Sequence, residues 1–224
     1  MSEAWFDPHC RACPRLATFL DDVKARHPTY HARPVPPFGD PEARLLVVGL
    51  ASGLHGANAS GRPFTGDHAG LLLYDTLHRT GFASAPVSEH ANDGLRLLDC
   101  RITNAVKCLP PRNKPNLSEK QQCNPFLREE LGALPRDAVV VALGSIAHWA
   151  VIRAVGGRQS AYPFAHGAEH RPGNFTLLDS YHCSRYNTQT KRLTPEMFRA
   201  VFERARMLLE GAKSEAVGTK RPGD

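Results

Sequence analysis

The sequence predicts a three-layer α/β fold, in which a central four-stranded, mostly parallel sheet is flanked by helices. The first observation is a set of four short runs rich in valine and leucine, at residues 45–51, 97–106, 138–144 and 175–181. Segments with apolar residues at helical spacing separate these runs, and this alternation is typical of a parallel sheet. Three of the runs end in glycine-rich or polar sequence, which is where ligands bind in open α/β sheets.

The composition is that of an ordinary globular protein. The 224 residues suffice for one domain with a sizeable core, which we expect at residues 1–210, with 211–224 as a polar, disordered tail. The net charge of +6 permits a polyanionic partner. No basic segment followed by an apolar one opens the chain, and no apolar run approaches the roughly 20 residues that span a bilayer. These features predict a cytoplasmic protein with no membrane contact.

The N-terminal segment contains the first expected helix. Pro14 suits the first helical position. Four apolar residues then follow at helical spacing, Leu16, Phe19, Leu20 and Val23. The helix is expected to end before Pro28, and the proline-rich stretch 30–40 predicts an irregular connection over the sheet.

The first sheet strand, at 45–51, leads into a loop of glycines and small polar residues that extends to Asp67. Glycine lets the main chain come close to a ligand, so this loop is a candidate site. A plain connection between strand and helix is the alternative. An amphipathic helix rich in leucine is expected after Asp67, ending near Gly81.

The remaining elements repeat the order of strand, polar loop and helix. Asn104 lies at the end of the second strand, and the helix that follows contains Cys123. The third strand leads into a helix that carries His148, which we interpret as structural. The fourth strand leads to His182, and the last helix opens at 194–196.

Four of the six cysteines form a plausible set of metal ligands. Cys10 and Cys13 are close enough for one turn to present both thiolates to a single centre. Cys108 and Cys123 are separated by fourteen residues, which disfavours a zinc ribbon, because ribbons pair two tight Cys-x-x-Cys units. On spacing alone, an iron–sulfur cluster, a zinc ion and unligated thiols all stay open.

Five segments together resemble a known enzyme family: 49–58, 61–67, 103–108, 113–115 and 180–182. They are similar to the motifs of uracil-DNA glycosylases, and specifically of family 5, the iron–sulfur, type-b branch. The four cysteines fall where that branch and its type-a relatives place theirs. The similarity extends from Cys10 to about Leu209, and the joint pattern is far more specific than any single motif.

The resemblance implies a monofunctional DNA glycosylase of base-excision repair. Such an enzyme hydrolyses uracil, and other deaminated bases such as hypoxanthine and xanthine, from DNA and leaves an abasic site. Ala51 stands where other branches carry an acidic residue, which agrees with type b. The resemblance also implies a structural 4Fe-4S cluster on four ligands, Cys10, Cys13, Cys108 and Cys123.

Four positions depart from the family pattern. Ser52 stands where proline is usual, and Ala59 stands where arginine is common. Cys183 replaces the proline that follows the motif histidine, and Tyr186 lies in the segment that resembles the DNA-intercalating loop. These changes bear on loop rigidity, substrate preference and rate more than on the reaction itself.

The base must leave the duplex before its bond to the sugar can be cut. Phe64 is expected to stack on the flipped base, with a core aromatic as the alternative. Asn104 is expected to recognise the base edge or to hold the attacking water. His182 is expected to donate a hydrogen bond to the departing base anion, with a capped loop histidine as the alternative. Loop residues complete the expected base-binding site: Gly49, Ala51, Ser52 and Gly53.

Water must attack the sugar carbon, and Ala51 cannot assist that attack. Asp67 can orient or deprotonate the water, although it can equally cap the helix that follows. Asn58 lies nearer to the first motif but cannot act as a base. The sequence does not distinguish between these two candidates.

Two groups of residues are expected to contact DNA. The first fills or flanks the gap that the flipped base leaves: Ser184, Arg185, Tyr186 and Asn187. The second binds phosphates, which makes binding depend on salt: Lys107, Lys114, Lys191 and Arg192. A solvated surface charge is the alternative for each lysine.

The competing hypothesis is a non-catalytic iron–sulfur or zinc protein that binds nucleic acid or senses redox state. Such a protein has no need for Asn104, His182 and the opening loop to meet at strand ends. The enzyme is therefore favoured, as a monomer that acts on DNA in the cytoplasm, at the nucleoid.

Overall fold

A six-stranded sheet forms the centre of the protein, whose computed structural model describes residues 6–218, with side chains as far as residue 212. The strands are, in chain order, β1 (Phe38–Gly39), β2 (Leu45–Ala51), β3 (Cys100–Val106), β4 (Ala138–Leu143), β5 (Glu169–His170) and β6 (Phe175–Ser180). In space they follow the order β1-β3-β2-β4-β6-β5.

The four long strands, β3, β2, β4 and β6, are parallel to one another, which confirms the predicted central sheet. The edge strands β1 and β5 are antiparallel to their neighbours, so the sheet has six strands rather than four. Each edge strand has only two residues and lies near proline and glycine. Such short segments carry no measurable alternation, and the sequence therefore does not reveal them.

The described residues form seven α-helices: α1 (Pro14–Arg26), α2 (Ala57–Ser60), α3 (His68–Arg79), α4 (Leu117–Gly132), α5 (Ser145–Ala154), α6 (Arg185–Gln189) and α7 (Pro195–Gly218). The five long helices lie in the segments predicted as helical, whereas the short α2 and α6 were not predicted. Because α7 continues to Gly218, the first part of the expected tail has a helical backbone. Residues 1–5 and 219–224, with the chain start and the rest of that tail, lie outside the described residues.

Both faces of the sheet are buried, because successive side chains of a strand point to opposite sides. On one face, Leu45 and Val47 of β2 belong to a core that includes α3 and α7. On the other face, Leu46 and Val48 belong to a core that includes α4 and α5. This arrangement confirms the three layers. No helix among the described residues combines the length and the apolar character needed to cross a bilayer.

The connections between the strands determine where the two candidate sites, the cleft and the cysteine group, lie. The chain passes from β2 to β3 on one side and returns past β2 to β4 on the other. Ligands of open α/β sheets bind in the crevice at such a switch point, beyond the carboxyl ends of the strands. The helix α1 packs outside the sheet, where Leu16 shares a small core with Val106 and Cys123. The N-terminal cysteines therefore come close to the end of β3 and to α4.

Candidate active site

A cleft of about 600 Å³ opens at the carboxyl edge of the sheet. It lies between the end of β2, the loop that follows, the start of α3, β3 and the segment after β6. Six residues predicted for base binding or catalysis line it: Ala51, Gly53, Phe64, Asp67, Asn104 and His182. Side chains from distant parts of the chain thus meet at the edge that the strand pattern predicts.

Asn104 presents an unpaired amide oxygen in this cleft. Its side chain is buried, with 3% of the residue exposed, and Oδ1 has no hydrogen-bond partner among the described residues. Gly49 is its neighbour on β2, and a Cβ added there would lie 2.3 Å from Asn104 Oδ1. An unsatisfied buried acceptor costs free energy, so this position is best explained by a ligand that donates to it.

Phe64 lies at the tip of a turn and faces His182. The two ring centroids are 6.1 Å apart and the ring planes differ by 29°. Phe64 has a left-handed φ of 55°, which the turn must maintain. Arg62 stabilises this turn, donating from Nε to Thr65 Oγ1 at 3.0 Å and from Nη2 to Asp93 at 2.5 Å. Since Phe64 also belongs to the core, it is a core aromatic with one side on the cleft, and its stacking on a base stays a prediction.

His182 follows β6 and is partly buried. Its ring nitrogens have no hydrogen-bond partner among the described residues, and burial lowers the pKa of the imidazole to about 4. The ring is therefore neutral at pH 7, with one nitrogen as a donor. Asn187 fixes the main chain here, because its Nδ2 donates to the His182 carbonyl at 2.8 Å. Gly144 packs behind it, where an added Cβ would lie 3.3 Å from His182 Cβ.

Asp67 is both a helix cap and a carboxylate of the cleft. Its Oδ1 accepts from the Gly70 N–H at 2.8 Å at the start of α3. A Cβ added to Gly56 would lie 2.6 Å from Oδ2, so the loop contacts this oxygen closely. Burial raises the pKa of the Asp67 carboxyl. The other candidate, Asn58, is fully buried and does not line the cleft, and its amide has no hydrogen-bond partner among the described residues.

Two predicted contacts need correction. Lys107 was predicted to bind phosphate, but it is buried and its Nζ contacts Thr103 Oγ1 and the Glu130 carboxylate. A charge paired inside the core cannot reach a phosphate. Ser52 was predicted to bind the base, but it is buried outside the cleft lining, where its Oγ donates to the Lys107 carbonyl at 3.4 Å.

The segment after His182 forms one rim of the cleft. Ser184 caps α6, and both Ser184 and Arg185 line the cleft. Tyr186, the next residue, is 71% exposed. A large aromatic ring in solvent beside a cleft is available to a partner, and the predicted role of filling the gap left by a flipped base requires this.

The other predicted DNA contacts lie in different environments. Asn187 points inward to the His182 carbonyl. Arg192 is exposed, and its guanidinium lies 4.6 Å from the centre of the Tyr181 ring. Lys114 and Lys191 are also exposed. Three of the four predicted phosphate contacts are therefore at the surface.

Three further polar residues line the cleft and were not predicted: His55, His68 and Asn113. Tyr30 Oη lies 2.8 Å from His55 Nδ1, and Thr188 Oγ1 lies 3.2 Å from His68 Nε2. Each residue lies inside or directly beside one of the motif segments. That adjacency was the signal that could have identified them.

The four predicted cysteine ligands line one small cavity between α1, the end of β3 and α4. Among the described residues, the one set of three ligand atoms within 4.8 Å of one another lies elsewhere. Four thiols that line one cavity are a donor set that suits an iron–sulfur cluster or a zinc ion.

The surroundings of the cysteines also suit a bound metal centre. Burial raises the pKa of Cys108, and it raises the pKa of Cys123 to about 11. Positive charge from a metal centre would favour the thiolates that this enclosed position otherwise disfavours. The Lys107 main-chain N–H donates to Cys123 Sγ at 3.3 Å, which stabilises a charged sulfur.

The fold and the cleft define an α/β protein whose ligand-sized cleft is lined by an aromatic ring, an unpaired amide oxygen and a neutral histidine. The family model described as Uracil DNA glycosylase superfamily matches residues 36–206. The type-5 uracil-DNA glycosylase of Thermus thermophilus is 51% identical over 205 residues, which are 89% of this chain and 93% of that protein.

Other relatives agree with this match. The type-5 uracil-DNA glycosylase of Mycobacterium tuberculosis is 43% identical over 89% of this chain and 78% of its own length. A type-4 uracil-DNA glycosylase of Pyrobaculum aerophilum is 37% identical over 58% of each chain. The chain belongs to the uracil DNA glycosylase superfamily and, within it, to the type-5 enzymes.

Proposed function

We propose that this glycosylase removes uracil from DNA by enclosing the flipped base between Phe64 and His182, with Asn104 at its edge. The convergence of these side chains with Asp67 in one cleft carries the proposal. The family match supports the enzyme over the non-catalytic alternative. We extend the proposal to other deaminated bases, hypoxanthine and xanthine, and to a monomer that acts in the cytoplasm at the nucleoid.

The amide of Asn104 suits the edge of uracil. The uracil ring offers an N–H donor between two carbonyl acceptors, and an amide offers the complementary acceptor and donor. The unpaired Oδ1 would accept from the ring N–H, which removes the cost of its burial. Gly49 keeps this amide at the floor of the cleft, because any side chain there would collide with it.

In the reaction, the bond between the sugar C1′ and the base nitrogen breaks, and its electron pair goes to the base. The neutral His182 donates its N–H to the base oxygen where negative charge develops. Water adds to C1′, and Asp67 accepts the proton that this water loses. The hydrogen bond from the Gly70 N–H to Asp67 Oδ1 holds the carboxylate in place. Because the pKa of the Asp67 carboxyl is raised, its carboxylate is a stronger base than that of an exposed aspartate.

The rim residues would hold the DNA in its distorted form. The exposed ring of Tyr186 would fill the gap in the base stack, and the arginine beside it would bind the backbone. The exposed cations Lys114, Lys191 and Arg192 would bind phosphates. The net charge of +6 agrees with such a surface.

The second part of the proposal is a 4Fe-4S cluster on Cys10, Cys13, Cys108 and Cys123. Bound there, the cluster would supply structural support rather than reaction chemistry. It would join the segment before α1 to the end of β3 and to α4. The cysteines lie apart from the cleft lining, in agreement with that role.

Excision of uracil from a duplex that contains a single uracil tests which residue acts on the attacking water. Asp67→Asn keeps a side chain that can cap α3 but removes the base, so single-turnover excision should fall by about 10²- to 10⁴-fold. Asn58→Ser should stay within tenfold of the wild type. The opposite ranking would assign the water to Asn58. Duplexes with hypoxanthine or xanthine test the wider substrate range.

Iron content and visible absorbance of anaerobically purified protein test the cluster. Cys108→Ser should lose most of the iron and the brown colour, because a ligand is removed. Cys100→Ser is the matched control, since that buried thiol lies outside the cysteine cavity. Equal iron in both variants, or a colourless wild type, would contradict the cluster.

A further inference from the structure

A second group of ligand side chains lies where α5, β5 and β6 meet, away from the cleft and from the cysteines. His148 of α5, His170 of β5 and Asp179 of β6 present three ligand atoms that all lie within 4.8 Å of one another. It is the one such group in the part of the chain that the structure describes. The mechanism uses none of the three residues.

The carboxylate at the centre of this group is incompletely paired. Asp179 is fully buried, and its Oδ1 lies 2.8 Å from His148 Nδ1. Its Oδ2 lies 3.5 Å from His170 Nε2, and neither of these two atoms has a hydrogen-bond partner among the described residues. A buried carboxylate with an unpaired oxygen costs free energy. A cation shared by the three side chains would remove that cost.

The spacing suits a metal ion with nitrogen and oxygen ligands. Zinc bonds of ~2.0–2.1 Å in a tetrahedral site place neighbouring ligand atoms ~3.3–3.4 Å apart. The gap of 3.5 Å between Asp179 Oδ2 and His170 Nε2 is close to this value. It is too long for a good hydrogen bond, so the two atoms face each other at a metal-ligand spacing.

A hydrogen bond to the main chain supports His148 as a ligand. Its Nε2 lies 2.8 Å from the Tyr162 carbonyl oxygen, which can only accept. The Nε2 therefore donates to this carbonyl, and Nδ1 is the nitrogen that a metal ion would take, in place of the proton between Nδ1 and Asp179 Oδ1. Metal-binding histidines usually donate their other N–H to such a carbonyl. Aromatic rings pack against both imidazoles. The ring centroids of Phe164 and His148 are 5.6 Å apart, and those of Tyr162 and His170 are 5.8 Å apart.

We propose that His148, His170 and Asp179 bind one Zn²⁺ ion, with water as the fourth ligand. The ion would join a helix and the edge strand β5 to β6, and β6 leads to His182 only three residues after Asp179. Its role would be to stabilise β6, which leads into the segment that carries His182. The site does not depend on the proposed base chemistry.

The test is a titration of the full, cluster-loaded protein with Zn²⁺ in competition with a chromophoric chelator. The wild type should bind one equivalent, and Asp179→Asn and His170→Gln should each bind it at least tenfold more weakly. His78→Gln should match the wild type, because this exposed histidine of α3 lies outside the group. Zinc should also raise the melting temperature of the wild type but not of Asp179→Asn.

X-ray absorption at the zinc edge of the wild type decides the ligands without any variant. Nitrogen and oxygen neighbours at ~2.0–2.1 Å would support the site, whereas sulfur neighbours at ~2.3 Å would assign the zinc to the cysteines and overturn it. Equal zinc affinity in the wild type and both ligand variants would also overturn the proposal. So would a folded wild type that binds no zinc, which would leave an ion pair between His148 and Asp179.

Discussion

His148 and His182 are two histidines in enclosed positions, but the hydrogen bonds of their rings differ completely. Both nitrogens of His148 have acceptors beside them, Asp179 on one side and the Tyr162 carbonyl on the other. The nitrogens of His182 have no partner among the described residues, and burial lowers its pKa to about 4. Hydrogen bonds within the fold therefore hold the His148 ring, whereas the nitrogens of the His182 ring remain free to bind a ligand.

In the proposed mechanism, the histidine whose ring nitrogens have no partner is the one that contacts the base. Asn104 is similar, because its Oδ1 is buried without a partner among the described residues and its side chain lines the cleft. The fold bears the cost of these unsatisfied groups. In the proposed reaction, a substrate that pairs with these groups would recover that free energy at the point where charge develops.

For the two histidines, the largest expected effect is on catalysis. His182→Gln should lower single-turnover excision of uracil by about 10²- to 10³-fold, because the donor to the base anion is misplaced or lost. The free energy of unfolding should change little, since no hydrogen bond of the ring is broken. Quenched-flow excision assays and urea unfolding of the same preparation measure both quantities.

The same substitution at the other histidine should have the opposite outcome. His148→Gln should lower the free energy of unfolding by about 3 kcal/mol, because Asp179 loses a partner inside the core. Excision per folded molecule should stay within a few fold of the wild type. Urea unfolding at pH 7 checks the stability, and active-site titration corrects the rate for the folded fraction.

The same pair of variants tests whether the two histidines have separate roles. If His148→Gln lost excision as strongly as His182→Gln while folded, the two histidines would act together. If His182→Gln kept excision within tenfold, another donor would stabilise the base anion.

The smallest effect is on the pH dependence of stability. The folded state does not protonate His182 until about pH 4, whereas the unfolded chain protonates it near its usual value of 6.5. Between these two values the unfolded state binds more protons, so the wild type should lose stability as the pH falls. His182→Gln should lose less over this range, and unfolding curves at pH 4.5 and 7 would show it. Identical slopes for both proteins would contradict a neutral His182.

The sequence by itself predicted the four long strands, the five long helices and the three layers, because long apolar runs and helical periodicity are local signals. It also predicted that Asn104, His182 and the opening loop lie together. The physical reason is that the carboxyl ends of parallel strands meet at one edge of the sheet, so their loops converge whatever their separation along the chain.

Only the tertiary structure decided which way each side chain points. Lys107 follows β3 like a surface lysine, yet it is turned inward to Glu130. Asn58 and Asp67 are equal candidates in the sequence, but only Asp67 lines the cleft. Likewise, the group of His148, His170 and Asp179 joins three elements that no spacing rule connects. Orientation and pairing depend on packing between distant segments, and a linear pattern does not contain that information.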